Sequence, residues 1–362
     1  MDKGLDIELR RTLLGCHAAL GSLAARGDFA GATATPRAAL DHALAQLRTA
    51  RRRPDGEAAE RALAWAAAAP ARHILVFGEP AYPARLATIA AAPLVLFVEG
   101  NAALLEAAQV AIVGSRKATG QGLRVAREFA AGLAGAGFAV TSGLALGIDA
   151  AAHQGALEAG GATLAVVGCG IDRVYPARHR ALAATIGATG AVVSEFALGA
   201  APARHHFPQR NRLIAGLSLG TVVVEAAARS GSLSTALHAL DQGREVFAVP
   251  GSILNPQARG CHALIKQGAK LTECLADVLE EFADRPDVMV RACATSDDQS
   301  LSDSLDSAAR GVLTACGWDP VTIEHVTARC GLTLPEVSSI LLQLELAGRI
   351  DFHPNGTYLR KR

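Results

Sequence analysis

In the stretch VAIVGSRKATGQG, residues 110 to 122, an apolar run ends at Gly114 and Ser115 and is followed at once by Arg116 and Lys117, ahead of a helical segment. Small residues at a helix start leave backbone N–H groups free to face an anion, and the helix dipole favours negative charge there. Arg116 adds a forked donor that matches phosphate oxygens, and Lys117 adds a point charge. The chemistry on offer is anion binding. The pattern is not GxGxxG, whose second glycine lets the backbone approach a pyrophosphate. Small hydroxyl residues beside glycine recur at Ser142 and Gly143, and again at Ser230, Gly231 and Ser232, with Thr235 in the first turns of the next helix. The segment LGAAPARHHFPQRNRLIAG, read as a loop, gathers Arg204, His205, His206, Arg210, Asn211 and Arg212, with no acid between Glu195 and Glu225. Phe207 stands in its middle. Basic residues flanking an aromatic suit single-stranded nucleic acid, because bases stack on the ring while the cations follow the phosphates.

Other constellations point elsewhere. Asp149 and His153, four apart on one helix face, fit a hydrogen bond or a cap better than acid–base work. Glu225, at a strand end among apolar residues, fits an acid that holds neighbouring Arg side chains better than a general base. Adjacent residues such as His205 and His206 rarely converge on one ion, and no carboxylate or thiolate stands near them in sequence. Neither a metal nor a cofactor is expected.

Such residues need a scaffold that brings several strand ends together. From Val110 the runs VAIVG, FAVTSG, TLAVVG, AVVSE, GTVVVEA and EVFAVPG alternate with helical segments. Strands that are apolar throughout imply a parallel sheet covered on both faces. This predicts an α/β fold with a Rossmann-like, doubly wound, mainly parallel sheet, whose ligands sit beyond the carboxyl ends of the strands. HILVFG and APLVLFVEG, bounded by Pro and Gly, predict two strands before it. Residues 1–70 read as a small N-terminal helical module containing the charged connection RTARRRPDGE, and 71–283 as the sheet domain. Residues 284–307, rich in Asp and Ser, read as a flexible acidic linker. Residues 308–362 fit a C-terminal winged-helix-like domain, three short helices and a hairpin turning at Asn355-Gly356. Its third helix, 334–347, carries Glu336 and Glu345 and no Lys or Arg, which suits a groove reader poorly. A protein-contact or auxiliary role is expected there, with most single-strand affinity surviving removal of 308–362.

Composition sets limits on all of this. The chain has 362 residues, half of them hydrophobic, which allows two or three domains. A formal net charge of +1 excludes a bulk polycation, so affinity for nucleic acid must come from local clustering. Seven cysteines, an odd number without a CxxC pair, read as reduced thiols of a cytosolic protein. MDKGLDIELRR mixes acids with bases and lacks the apolar run of a leader, and no stretch approaches the roughly 18 apolar residues of a membrane span. A cytoplasmic chain without membrane contact is expected.

Taken in order, VAIVGSR, SGLALGIDAAAH, AVVGCGIDRVYP, FPQRNRLIAGLS, VVVEAAARSGSLSTA and VFAVPG closely resemble the DNA-processing protein A family, also called Smf, from about His73 to Phe282. The resemblance implies a non-enzymatic protein that binds single-stranded DNA taken up in natural transformation, shields it from nucleases and loads the RecA recombinase. It implies binding through the GSR turn and a basic residue three before the Phe of FPxRNR, here Ser115, Arg116, Arg204 and Phe207. The family commonly has Lys where Arg204 stands. It also implies a homodimer through the far edge of the sheet domain, near RGCHALIKQGAKL. His205 and His206 add charge only below about pH 6.5, so mild acid is expected to tighten binding.

Two rival readings are enzymatic. GTVVVE is similar to the GGxGTxxE motif of cytokinin-activating phosphoribohydrolases and related carrier proteins, but AGLSLGT replaces the double-glycine lead, and the basic aromatic segment has no purpose in a mononucleotide pocket. A dinucleotide-dependent oxidoreductase would need GxGxxG and an acid at the end of the second strand, and both are missing.

Overall fold

The computed structural model describes residues 7–20, 36–283, 307–353 and 356–360. They fall into two compact units that divide between residues 293 and 294.

The first unit is built on one nine-stranded sheet with strands β1 Arg72–Val76, β2 Val95–Gly100, β3 Gln109–Val113, β4 Ala139–Ser142, β5 Thr163–Val166, β6 Ala191–Ser194, β7 Gly220–Val223, β8 Glu245–Ala248 and β9 Lys270–Leu271. They lie side by side in the order β1-β2-β6-β5-β4-β3-β7-β8-β9. From β6 to β9 all neighbours are parallel, while β2 pairs antiparallel with both β1 and β6. The Rossmann-like α/β reading is therefore the observed architecture.

Successive residues of β3 feed opposite faces. Val110 and Ile112 pack with the helices Gly120–Gly135 and Ile148–Glu158, and Ala111 and Val113 pack with His206–Leu217 and Ser232–Asp241. Two covered faces explain why these strands are apolar throughout rather than alternating. Strand order reverses at β3: the chain leaves β3 for a helix on one face and leaves β7 for a helix on the other. A crevice opens beyond the carboxyl ends of those two strands, as it does at switch points of such sheets.

The helices Ile7–Leu20, Pro36–Thr49 and Gly56–Ala67 belong to this unit instead of forming a module that ends at residue 70. Leu13, Leu14, Leu47 and Ala59 join one core with Ile74, Leu96 and Phe97 of the antiparallel strands. Trp65 meets Phe97 edge-on at 5.9 Å. Within the charged connection Asp55 has a definite task, accepting a hydrogen bond from the Ala58 N–H at 2.9 Å to cap the third helix.

The second unit contains the helices Ser307–Cys316, Ile323–Cys330 and Leu334–Leu346 and a small antiparallel sheet of β10 Val321–Thr322, β12 Thr357–Arg360 and β11 Ile350–Phe352. Val312, Val326, Val337, Leu341 and Ile350 form its core. Thr333 and Glu336 make a reciprocal capping box that starts the third helix. Residues 284–306 of the expected linker and Asn355 of the expected turn lie outside the described residues.

Two buried histidines make the first unit sensitive to acid. His153 is fully buried with Nδ1 2.7 Å from Thr163 Oγ1, and burial lowers its pKa to about 3. Burial likewise lowers His17 to about 4. Both titrate near 6.5 when unfolded. The unfolded chain therefore binds more protons as pH falls through 6.5, and stability drops until each folded-state value is reached. Between pH 7 and pH 5 each histidine is expected to cost about 2 kcal/mol. Denaturant titrations at the two pH values should show a loss smaller by about that amount in His153→Gln; an unchanged pH dependence would count against this role.

Candidate nucleic-acid interface

Beyond β3 and β7 lies a cleft of about 680 Å³. Its floor is the turn after β3. Ser115 N–H donates to the Glu225 carbonyl at 2.7 Å, the Ser115 carbonyl accepts from Ile148 N–H at 3.2 Å, and Ser115 Oγ accepts from Lys117 N–H at 3.1 Å. A Cβ on Gly114 would stand 2.6 Å from Ile148 Cγ1 and 2.9 Å from the Glu225 carbonyl, so the turn closes only with glycine. With the backbone so fixed, Arg116 and Lys117 are left exposed at the cleft.

The opposite wall comes from the helix His206–Leu217. The segment read as a loop is helical from its histidine pair onward. Pro208 is tolerated in a first turn, where its missing N–H is not needed, and Leu213, Ile214 and Leu217 face the core. Phe207 is thus held on a rigid element. The Arg116 guanidinium lies 5.0 Å from its ring centroid, within cation–π range. Tyr175 continues the aromatic surface, 45% exposed with its ring 5.6 Å from Phe207. Arg204 is exposed on the same cleft. Tyr175 received no role in the sequence reading. Its position after the apolar run of β5, between Arg173 and Arg178, was the available signal.

Ser230, Gly231, Ser232 and Thr235 close the side beyond β7. Ser230 and Ser232 share a hydroxyl contact of 2.7 Å. Asn211 Nδ2 donates to the Gly231 carbonyl at 3.2 Å and to Ser234 Oγ at 2.7 Å, so it holds this second cradle in place.

The structure puts the other candidates to structural use. Arg210 borders the cleft but is buried, with Nη1 donating to the carbonyls of Gly143 and Val166. Burial brings its pKa down to about 10, opposed by the charge of Asp149. The Asp149 carboxylate accepts from the N–H groups of Gly143 and Ala145, at 3.1 and 3.3 Å. His153 bonds to Thr163 instead, so the two do not form an acid–base pair. Ser142 is fully buried and donates to the Ile112 carbonyl at 2.6 Å. A Cβ on Gly143 would meet the Arg210 guanidinium at 2.7 Å. Ser142 and Gly143 therefore seat an arginine rather than line the cleft.

Arg212 points away altogether. It makes a buried ion pair with Glu195 at 2.5 Å beside a second cavity of about 360 Å³ that His17 also lines. His206 lines that cavity too, stacked on Phe196 with centroids 4.1 Å apart. Burial, then neighbouring His205, holds His206 below its ordinary pKa. That shift works against the expected tightening at lower pH.

Glu225 is engaged by the turn that follows β3. Its carboxylate accepts from Thr119 N–H at 2.9 Å and Thr119 Oγ1 at 2.5 Å, while Thr119 Oγ1 accepts from Gly122 N–H and caps the helix Gly120–Gly135. Gly122 is needed there, since a Cβ would lie 2.5 Å from Glu225 Cδ. Among the described residues no cluster of His, Cys, Asp and Glu could hold a metal ion, and no helix is long and apolar enough to cross a membrane.

At the sheet's far end, RGCHALIKQGAKL forms the helix Arg259–Lys266 and edge strand β9, whose Leu271 is exposed.

Comparison with known proteins identifies the family. A family model described as DNA recombination-mediator protein A matches residues 73–283, and one described as DprA winged helix domain matches residues 296–356. Protein Smf of Escherichia coli (strain K12) is 43% identical over 298 residues, 81% of this chain and 78% of that protein. The DNA processing protein DprA of Streptococcus pneumoniae is 48% identical over 201 residues, 56% of this chain and 71% of that one. The X-ray structure of DNA processing protein A from Streptococcus pneumoniae superposes with a TM-score of 0.59 at 39% identity, covering 69% of this chain and 83% of that chain. The Helicobacter pylori protein, solved for its single-stranded DNA binding mode, superposes with a TM-score of 0.54 at 26% identity, covering 59% of this chain and 95% of that chain.

Proposed function

Since this chain belongs to the DNA recombination-mediator protein A family, we propose that it binds single-stranded DNA in the cleft beyond β3 and β7. The observation that carries this reading is the Phe207 ring, flanked by Tyr175 and topped by Arg116, with Lys117 and Arg204 exposed on the same cleft. Stacking rings amid cations suit unpaired bases on a phosphate track. Gly114 to Lys117 and Ser230 to Ser232 supply turns that receive phosphates, and Thr235 backs the second of them. The DNA binding described for the Helicobacter pylori neighbour supports the same reading.

On this reading the protein acts in the cytoplasm by binding, not catalysis. It shields single strands taken up in natural transformation, loads RecA on them, and pairs with a second copy through the edge near 259–271. The hydrolase alternative would need Glu225 free, but both its oxygens accept from Thr119.

Labelled oligothymidine and its duplex form, titrated across a salt series, test the proposal. Single strands are expected to bind more tightly, with a log–log salt slope of about 0.7 per phosphate neutralised. Equal affinity for duplex, or affinity insensitive to salt, would overturn it.

A further inference from the structure

The second unit divides its surface chemistry unevenly. Its third helix, the element that would enter a groove, exposes Leu334, Leu342 and Leu346 and carries acids without a cation. The hairpin is the reverse. Beside it Trp318, in the loop between the helix Ser307–Cys316 and β10, is 48% exposed with the Arg360 guanidinium 4.2 Å from its ring centroid. Phe352 is 50% exposed and pairs across β11 and β12 with Tyr358, their centroids 5.0 Å apart. Tyr358 and Arg360 are two apart on β12 and share a face, which Phe352 joins as the cross-strand partner of Tyr358. Arg360 thereby links Trp318 to this aromatic strip. Its Nε is buried against the unit without a hydrogen-bond partner, so any phosphate contact falls to the outer guanidinium nitrogens, and in sequence it is followed by Lys361 and Arg362.

We propose that this hairpin face is a second surface for single-stranded DNA, on which unpaired bases stack against Trp318 and Phe352 while Arg360 meets phosphate. The inference rests on the single-strand reading above. Open ring faces beside cations favour unpaired bases over a duplex, whose bases are already stacked on one another. The local charge favours nucleic acid over a protein partner, because Arg349 and Arg360 bracket the hairpin strands against one acid, Asp351, and Lys361 and Arg362 follow in sequence, while the exposed leucines and Glu336 and Glu345 lie on the third helix. The winged-helix plan is thus used by its wing and not by its groove helix.

The chain's two tryptophans make the test direct. In full-length Trp65→Phe only Trp318 emits. Oligothymidine is expected to quench that emission saturably, and high salt to reverse it. The quench should persist in an added Arg116→Ala, Arg204→Ala background, where the cleft is weakened. In the native background, Trp318→Ala with Phe352→Ala, both at exposed positions, should weaken the chain's binding to a long oligothymidine by about fivefold or more, against the expectation from sequence that most affinity survives loss of 308–362. Unchanged Trp318 emission while anisotropy shows the strand bound overturns the wing proposal and leaves the cleft standing. No strand binding by any variant overturns both. Emission that changes with protein concentration alone, and not with DNA, assigns the face to contact between copies and also overturns the proposal.

Discussion

Replacing Arg116 and Arg204 together by Ala is expected to weaken oligothymidine binding roughly a hundredfold at low salt, taking about 1.5 kcal/mol for each charge-assisted hydrogen bond to phosphate that the variant cannot make. The salt slope should become shallower by about 1.4, two phosphates at 0.7 each. Both side chains are exposed on the cleft and neither supports the core, so the fold should survive the change. Phe207→Ala is the complementary probe. It should lower affinity by roughly 1 to 3 kcal/mol for the base it stacks, with little change in slope. A double variant with the native slope would place the phosphate track elsewhere. Loss of slope in Phe207→Ala would mean that the ring's chief task is to position Arg116.

Arg212→Ala should damage stability rather than recognition. Glu195 is buried, and burial raises its carboxyl pKa while Arg212 opposes that shift. Without the guanidinium an uncompensated carboxylate remains inside, a loss of about 3 to 5 kcal/mol. The thermal midpoint should fall by about 10 °C. Replacing both partners by apolar residues should recover much of this, because the desolvation cost of both charges goes with them. Folded Arg212→Ala protein should retain native oligothymidine affinity. Selective loss of binding in a fully folded variant would return Arg212 to the DNA site.

These contrasting outcomes mark where the sequence was readable. The strands were legible because burial on both faces makes them apolar throughout, and the turn at Ser115 and Arg116 because a strand end in such a sheet has a fixed meaning. The fate of charged residues was not legible. Arg210 and Arg212 stand two apart in one motif, yet one bonds to backbone carbonyls 67 and 44 residues away and the other to a carboxylate 17 residues away. Glu225 finds its partner 106 residues back. Periodicity cannot report such pairings, which depend on packing distant segments together. The basic residues around Phe207, from Arg204 to Arg212, also disguised a helix whose apolar residues follow them. The same limit hid the union of the N-terminal helices with the sheet, since helical spacing shows which face is apolar and not what covers it.

The guanidinium resting on Phe207 bears on how a strand would leave. In the free protein the ring's face already has a cationic neighbour standing where a base would stack. An arriving base must displace Arg116 or settle on its outer plane, and a departing base can be replaced at once by the same side chain. The aromatic face is then never abandoned to bare solvent during exchange. Such a built-in stand-in would make release of a stacked base gentler than detachment from an open platform.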